Sequence, residues 1–238
     1  MALPVSLAAP LGSMVLRALG MWSVAPTQLS GDEAAQLEAS LGTAVDAAAG
    51  AAVALPAGVA AVDALRWLAQ ERPVLFHGTG RGDLETLSPV RQSSDTSAFG
   101  NQQAVFATQD PVWAMFFAVL DRSNPEFRST RNGASTVIGG RREFGPRYFF
   151  AVNDAMTRER MWRPGVVYVV DRKGFMPDAR DLGVIDNAQW ASVAPVKWLA
   201  KVRVTPEDFP FRNATFGYRT DESELRTFAR IRRAGKRR

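Results

Sequence analysis

The chain has 238 residues, with 46% apolar and 22% charged side chains, a globular balance that excludes a wholly disordered chain. It has no cysteine and one histidine, which excludes a disulfide scaffold, a zinc ribbon, a cysteine nucleophile and a histidine-rich metal centre. The formal charge of +5 is local: residues 226–238 hold seven basic groups and no acid, and the other 225 residues carry 22 basic and 24 acidic groups.

Residues 1–70 are rich in alanine, leucine and valine. The early cation Arg17 sits inside the apolar stretch, so the pattern is not that of a secretory signal, which needs a basic region before its apolar core. The charge-free run 47–62 holds Gly50, Pro56 and Gly58 and is shorter than the roughly 20 apolar residues of a bilayer span. It reads as a buried helix pair broken at Pro56, and a membrane role is not expected. Ser30-Gly-Asp-Glu33 predicts a helix start, with Ala34, Leu37, Leu41 and Val45 following at helical spacing. A second helix is predicted over 59–70. The segment 1–70 is thus expected to be an alanine-rich helical prefix to a main domain at 71–238.

From Arg72 the texture changes to short apolar runs between Gly, Pro, Asn and Asp. Pro73-Val-Leu-Phe-His77 and Ala104-Val-Phe-Ala-Thr108 predict strands. Asp110-Pro111 predicts a helix start, with Trp113, Phe116, Phe117 and Leu120 as its apolar face. Residues 122–146 read as a long surface loop carrying Arg128, Arg131, Arg141, Arg142 and, just beyond it, Arg147. Runs at 148–152, 166–170 and 196–204 predict strands, the last with a wet face at Lys197, Lys201 and Arg203. Residues 221–233 predict a helix. Helices do not alternate regularly with strands, so the fold class is α+β rather than doubly wound or a barrel. Gly78-Thr-Gly80-Arg-Gly82 follows a strand but lacks the lysine of a phosphate loop.

The lone His77 ends a strand and precedes small residues, a place where backbone groups approach a ligand closely and an imidazole can donate to a sugar hydroxyl. Leu75-Phe-His-Gly-Thr79, Leu87-Ser-Pro89, Val105-Phe-Ala-Thr108 with Asp110-Pro111, and Ala114-Met-Phe-Phe117 resemble the ADP-ribosyltransferase superfamily. The branch they resemble is the histidine–tyrosine–glutamate one, with diphtheria-toxin-like enzymes, poly(ADP-ribose) polymerases and small bacterial members. Gly165-Val-Val-Tyr-Val-Val-Asp171, Gln189-Trp-Ala-Ser192 and Pro195-Val196 are similar to the closing half of the small members. The likeness spans about residues 72–212.

The resemblance implies a split mixed sheet flanked by helices, with NAD as substrate. It implies that His77 holds the ribose beside nicotinamide, that Gly78 and Thr79 complete the motif around the nicotinamide amide, and that Phe106 stands where the family has its tyrosine. It also implies that Phe117 stacks on nicotinamide, although Phe116 or Trp113 fits the same spacing. Gln189 falls where the family has its catalytic glutamate. A carboxylate there stabilises positive charge on the ribose as the glycosidic bond breaks, and an amide supplies no full charge. Three readings follow: an inactivated toxic enzyme, a weak transferase or NAD-binding descendant, or a carboxylate supplied instead by Glu207 or Glu143. The implied activity is mono-ADP-ribosyl transfer of toxin or effector type, acting in a cytoplasm, with an immunity partner. The acceptor is macromolecular, nucleic acid being placed ahead of protein because of the basic loop and tail. A non-catalytic module that keeps the fold is the alternative.

Overall fold

The computed structural model describes residues 10, 12, 14–16, 18–89, 98–137, 145–179 and 184–235. Residues 10, 12, 14–16 and 18 are helical. Helix α1 (Gly31–Leu37) passes through a π-helical turn (Glu38–Gly42) into a last α-helical turn (Thr43–Asp46). Its start falls where Ser30-Gly-Asp-Glu33 predicts one, and the cap is a capping box: Glu33 N donates to Ser30 Oγ, and Ser30 N donates to the Glu33 carboxylate. Then follow β1 (Ala51–Val53), α2 (Ala61–Glu71), β2 (Val74–Thr79), β3 (Val105–Thr108), α3 (Pro111–Val119), β4 (Thr130–Val137), β5 (Arg147–Asn153) and β6 (Gly165–Asp171). The chain continues with β7 (Met176–Pro177), β8 (Ile185–Asp186), β9 (Gln189–Ser192), β10 (Trp198–Val204), a 3-10 turn (Pro206–Asp208), β11 (Phe216–Tyr218) and α4 (Glu224–Gly235).

The architecture is α+β, with two mixed sheets. The larger has the order β1-β10-β6-β2-β3-β9-β7 and the smaller the order β11-β5-β4-β8. Within them β1–β10 and β11–β5 are the parallel pairs. Central strand β6 is covered on both faces: Val167 and Val169 enter the main core, Tyr168 and Val170 a second cluster with Leu75, Leu87 and Trp190. That double burial explains its unbroken apolar run. In β10 the predicted wet face appears as alternation, with Ala200, Val202 and Val204 buried and Arg203 exposed.

Helix α3 packs between the sheets. On one side it meets β2 and β6, where Gly78 and Gly165 allow the closest approach: a Cβ on Gly78 would sit 1.7 Å from the Ala114 carbonyl oxygen, and one on Gly165 would sit 1.9 Å from that of Ala118. On the other side Phe116 stacks 4.6 Å from Phe150 of β5. A helix enclosed this way is apolar all round, so the four-residue face read from the sequence was too narrow: every residue of α3 except Phe117 is buried.

Three expectations are corrected. The run 47–62 is not a helix pair, because Ala51–Val53 extends and pairs with Ala200–Val202 as an edge strand. Residues 122–146 are not one loop: Thr130–Val137 is a strand that pairs with β5, and small residues such as Gly133 and Ala134 there fit against aromatic neighbours. Val196 lies outside β10 and instead bridges Leu87. The segment read as a prefix shares its core with the strands, since Leu37, Leu41, Leu65 and Leu68 pack in one cluster with Phe76, Phe116 and Val202. Among the described residues no helix is long and apolar enough to cross a membrane.

Candidate functional site

The site is a seam in the larger sheet. Strand β2 pairs with β6 through six registered positions, Val74 to Thr79. On its other side it meets β3 at one pair, Phe76 with Thr108. Just past that pair the imidazole of His77 lies between the strands, with Nδ1 2.7 Å from the Phe106 carbonyl oxygen. A carbonyl only accepts, so in the neutral ring Nδ1 carries the proton and donates it to Phe106, which leaves Nε2 as an acceptor. Burial lowers the His77 pKa below the usual histidine value; the bond to Phe106 opposes this, and the charge of Arg122 reinforces it. The ring is therefore neutral at pH 7, and toward a sugar hydroxyl it accepts rather than donates, the reverse of the sequence expectation.

Gly78 and Thr79 have internal reasons for their identities. The absent side chain of Gly78 makes room for Ala114 of α3. Thr79 is buried, and its Oγ1 accepts from Arg81 N at 3.2 Å, shaping the turn after β2. Phe106 is half-buried and meets Phe99 edge-on at 6.4 Å. Of the three aromatic candidates on α3, Phe116 is 0% and Trp113 8% exposed, whereas Phe117 is half-buried and keeps accessible surface. Of the three, Phe117 therefore keeps the most accessible ring surface.

Arg122 is a further candidate that the sequence reading did not name. Its guanidinium lies 5.6 Å from the Phe117 ring centroid, and its charge acts on His77. Nothing in the local pattern marks it. It follows the end of α3, where the chain turns through the Leu120–Trp162 bridge, and only that turn brings it back over the ring.

Gln189 opens β9 and pairs with Thr108, so Thr108 lies between Phe76 and Gln189. His77 and Gln189 thus sit two strands apart, a backbone separation of about 10 Å. Gln189 is half-buried, and its backbone oxygen accepts from Asp178 N at 2.9 Å. Among the described residues no hydrogen bond joins its side chain to His77, Phe106 or Phe117. Glu207 is not beside it: that residue is exposed on the 3-10 turn after β10, on the opposite flank of β2 from β9, and is paired with Arg212 at 2.9 Å. Glu143 lies outside the described residues. Two carboxylates nearer Gln189 went unnoticed in the sequence, Asp178 beside its carbonyl and Asp186, which accepts from Ala188 N at 2.7 Å. Their signal is only that they flank a strand that was not predicted.

The basic groups of the former loop are partly committed. Arg131 donates to Thr227 and to the Glu222 carbonyl, and Arg128 donates to the Phe127 carbonyl at 3.0 Å. Arg141 and Arg142 lie outside the described residues. No group of three or more histidine or acidic residues placed to hold a metal occurs among the described residues. No protein-family model matches the chain, and no curated protein or solved structure matches it either.

Proposed function

We propose that the chain is an NAD⁺-binding protein with the ADP-ribosyltransferase fold, a mono-ADP-ribosyltransferase of toxin or effector type. The observation that carries this reading is the seam: a neutral His77 anchored through Nδ1 to Phe106, with Nε2 turned into an acceptor, and Arg122, whose charge acts on His77, lying over the Phe117 ring. An acceptor nitrogen suits a ribose hydroxyl. A half-exposed phenylalanine keeps the π-face on which a nicotinamide ring stacks. In the reaction the bond between the ribose and nicotinamide breaks and nicotinamide leaves with the electron pair. The acceptor's nucleophile then attacks the ribose carbon and loses its proton. In this reading His77 orients the sugar, and Gln189 takes the position that the resemblance assigns to the carboxylate that stabilises the developing positive charge.

An amide at Gln189 orients hydroxyls without opposing that charge, so turnover is slow; losing one such electrostatic contribution costs about a hundredfold or more. The test is nicotinamide release from labelled NAD⁺ by the wild type, Gln189→Glu and His77→Ala, with binding measured by calorimetry. The expected result is weak release by the wild type, a rise of about a hundredfold in Gln189→Glu, and loss of binding in His77→Ala. If neither the wild type nor Gln189→Glu binds NAD⁺ or releases nicotinamide, the reading fails. The neutral side chain of Gln189 also favours a second reading, a module that binds NAD⁺ without consuming it. Binding by both forms with turnover by neither would select that one.

A further inference from the structure

The cations of α4 form an ordered flank rather than a frayed end. Arg226, Arg230 and Arg233 stand at i, i+4 and i+7 and all three are exposed. That spacing lines them along one side of the helix over about 10 Å. The helix is fixed to the body at an adjacent face. Thr227 is 2% exposed and accepts from Arg131, whose other nitrogen donates to the Glu222 carbonyl at 2.6 Å. Arg131 in turn stacks on Tyr218 at 4.5 Å. Farther along, Gly20 comes so close that a Cβ there would lie 2.5 Å from the Arg232 Cα. Arg230 is held over Phe216 at 5.2 Å and reaches Glu222 at 3.3 Å. Arg226 acts on Asp221, and among the described residues Arg233 forms no ion pair. The remaining body is slightly acidic, so this flank is its contrasting surface.

We propose that the Arg226–Arg230–Arg233 flank of α4 is a docking surface for the phosphate backbone of a nucleic acid. A polyanion matches a row of guanidiniums that a rigid helix presents without further ordering. A membrane surface matches it less well, because surface helices sink a face into the lipid, and the Thr227 face of α4 is occupied by the body. This inference does not rest on the NAD⁺ reading, since a chain that never binds NAD⁺ would show the same phosphate contacts.

The test measures binding of the full chain to a fluorescent 20-nucleotide single-stranded DNA between 50 and 200 mM salt. Three phosphate contacts give a log–log slope of about −2, a weakening of roughly 20-fold over that range. Arg226→Ala with Arg233→Ala should flatten the slope to about −0.7, and each single variant should remove about 0.7. Arg230 is left in place because it also holds Phe216 and Glu222. A control pair that removes the same charge elsewhere, Arg158→Ala with Lys197→Ala, should leave the slope unchanged. A wild-type slope retained by the α4 variants overturns the proposal, as does an equal loss in the control pair. Binding to phosphatidylserine vesicles in the absence of binding to the oligonucleotide overturns it too. Unchanged urea midpoints in the single variants establish that the fold is intact.

Discussion

The two ends of α3 do opposite things with their polar groups. At the first turn every polar atom is used internally. Asp110 is 7% exposed; its Oδ1 accepts from Trp113 N at 2.9 Å and its Oδ2 accepts from Tyr148 Oη at 2.7 Å. Asp110 N donates to Thr108 Oγ1, and Trp113 Nε1 donates to Asn132 Oδ1 at 2.6 Å. These bonds lock β3, α3, β4 and β5 into one arrangement. At the other end Phe117 keeps exposed surface, Arg122 lies over it, and His77, which feels the charge of Arg122, has one nitrogen committed and one left as an acceptor. The difference assigns roles: the closed end sets where the helix lies, and the open end has capacity left for a ligand.

The most severe way to break this arrangement lies between the two ends. Gly78→Ala places a methyl group 1.7 Å from the Ala114 oxygen and 2.9 Å from Ala118 N, and neither backbone atom can yield while α3 is held at its first turn. The expected loss is about 3 kcal/mol or more, read from the urea midpoint. An unchanged midpoint would mean that α3 is free to shift and that the close approach is not a constraint.

Next in size is the closed end itself. Tyr148→Phe removes the donor to Asp110 and should cost about 1–3 kcal/mol at pH 7. Burial raises the Asp110 pKa above the ordinary 3.8, outweighing the bonds from Tyr148 and Trp113 that oppose it. A raised folded pKa means that the native state holds the proton more tightly than the unfolded chain. The contribution is then fully present below the ordinary value and lost as pH rises through the folded one. The wild type should accordingly gain stability relative to Asp110→Asn as pH falls from 7 toward 4. Parallel pH dependence in the two proteins would show that the carboxyl is not buried as described.

The smallest effect sharpens the open end. The His77 pKa is lowered, chiefly by burial, so its contribution to stability is present above the ordinary 6.5 and lost as pH falls through the folded value. The wild type should lose stability relative to His77→Gln below pH 6.5. Because it is the sole histidine, its ring resonances can be followed directly by NMR. Arg122→Ala removes a nearby positive charge and should raise the His77 pKa, with Phe117→Ala leaving the direction unaltered if charge rather than packing is the cause. A titration unmoved by Arg122→Ala would separate Arg122 from the site.

Much of the local structure was legible because it depends on neighbours in the chain. The helix starts at Ser30-Gly-Asp-Glu33 and at Asp110-Pro111 are local hydrogen-bond chemistry, and both occur. The apolar runs at β2, β5 and β6 announce strands because those strands are buried. Short or mixed strands were not legible: β4 carries arginine, asparagine and glycine, and β1 and β9 are stretches of three and four residues whose extension is fixed by partners far away in the sequence. Arg131, read as a cation of a long surface loop, is a strand residue that holds α4.

The sequence by itself determined that the chain is an α+β protein with a single histidine in a strand and a cationic terminus on a slightly acidic body. Composition and short-range periodicity are enough for that. Only the tertiary structure decided which nitrogen of His77 is available, which aromatic of α3 keeps an open face, that Arg122 returns over Phe117, and that the terminal arginines line one flank of a docked helix. Each of these depends on a contact between residues distant in sequence, and such contacts are set by how the two sheets close on α3.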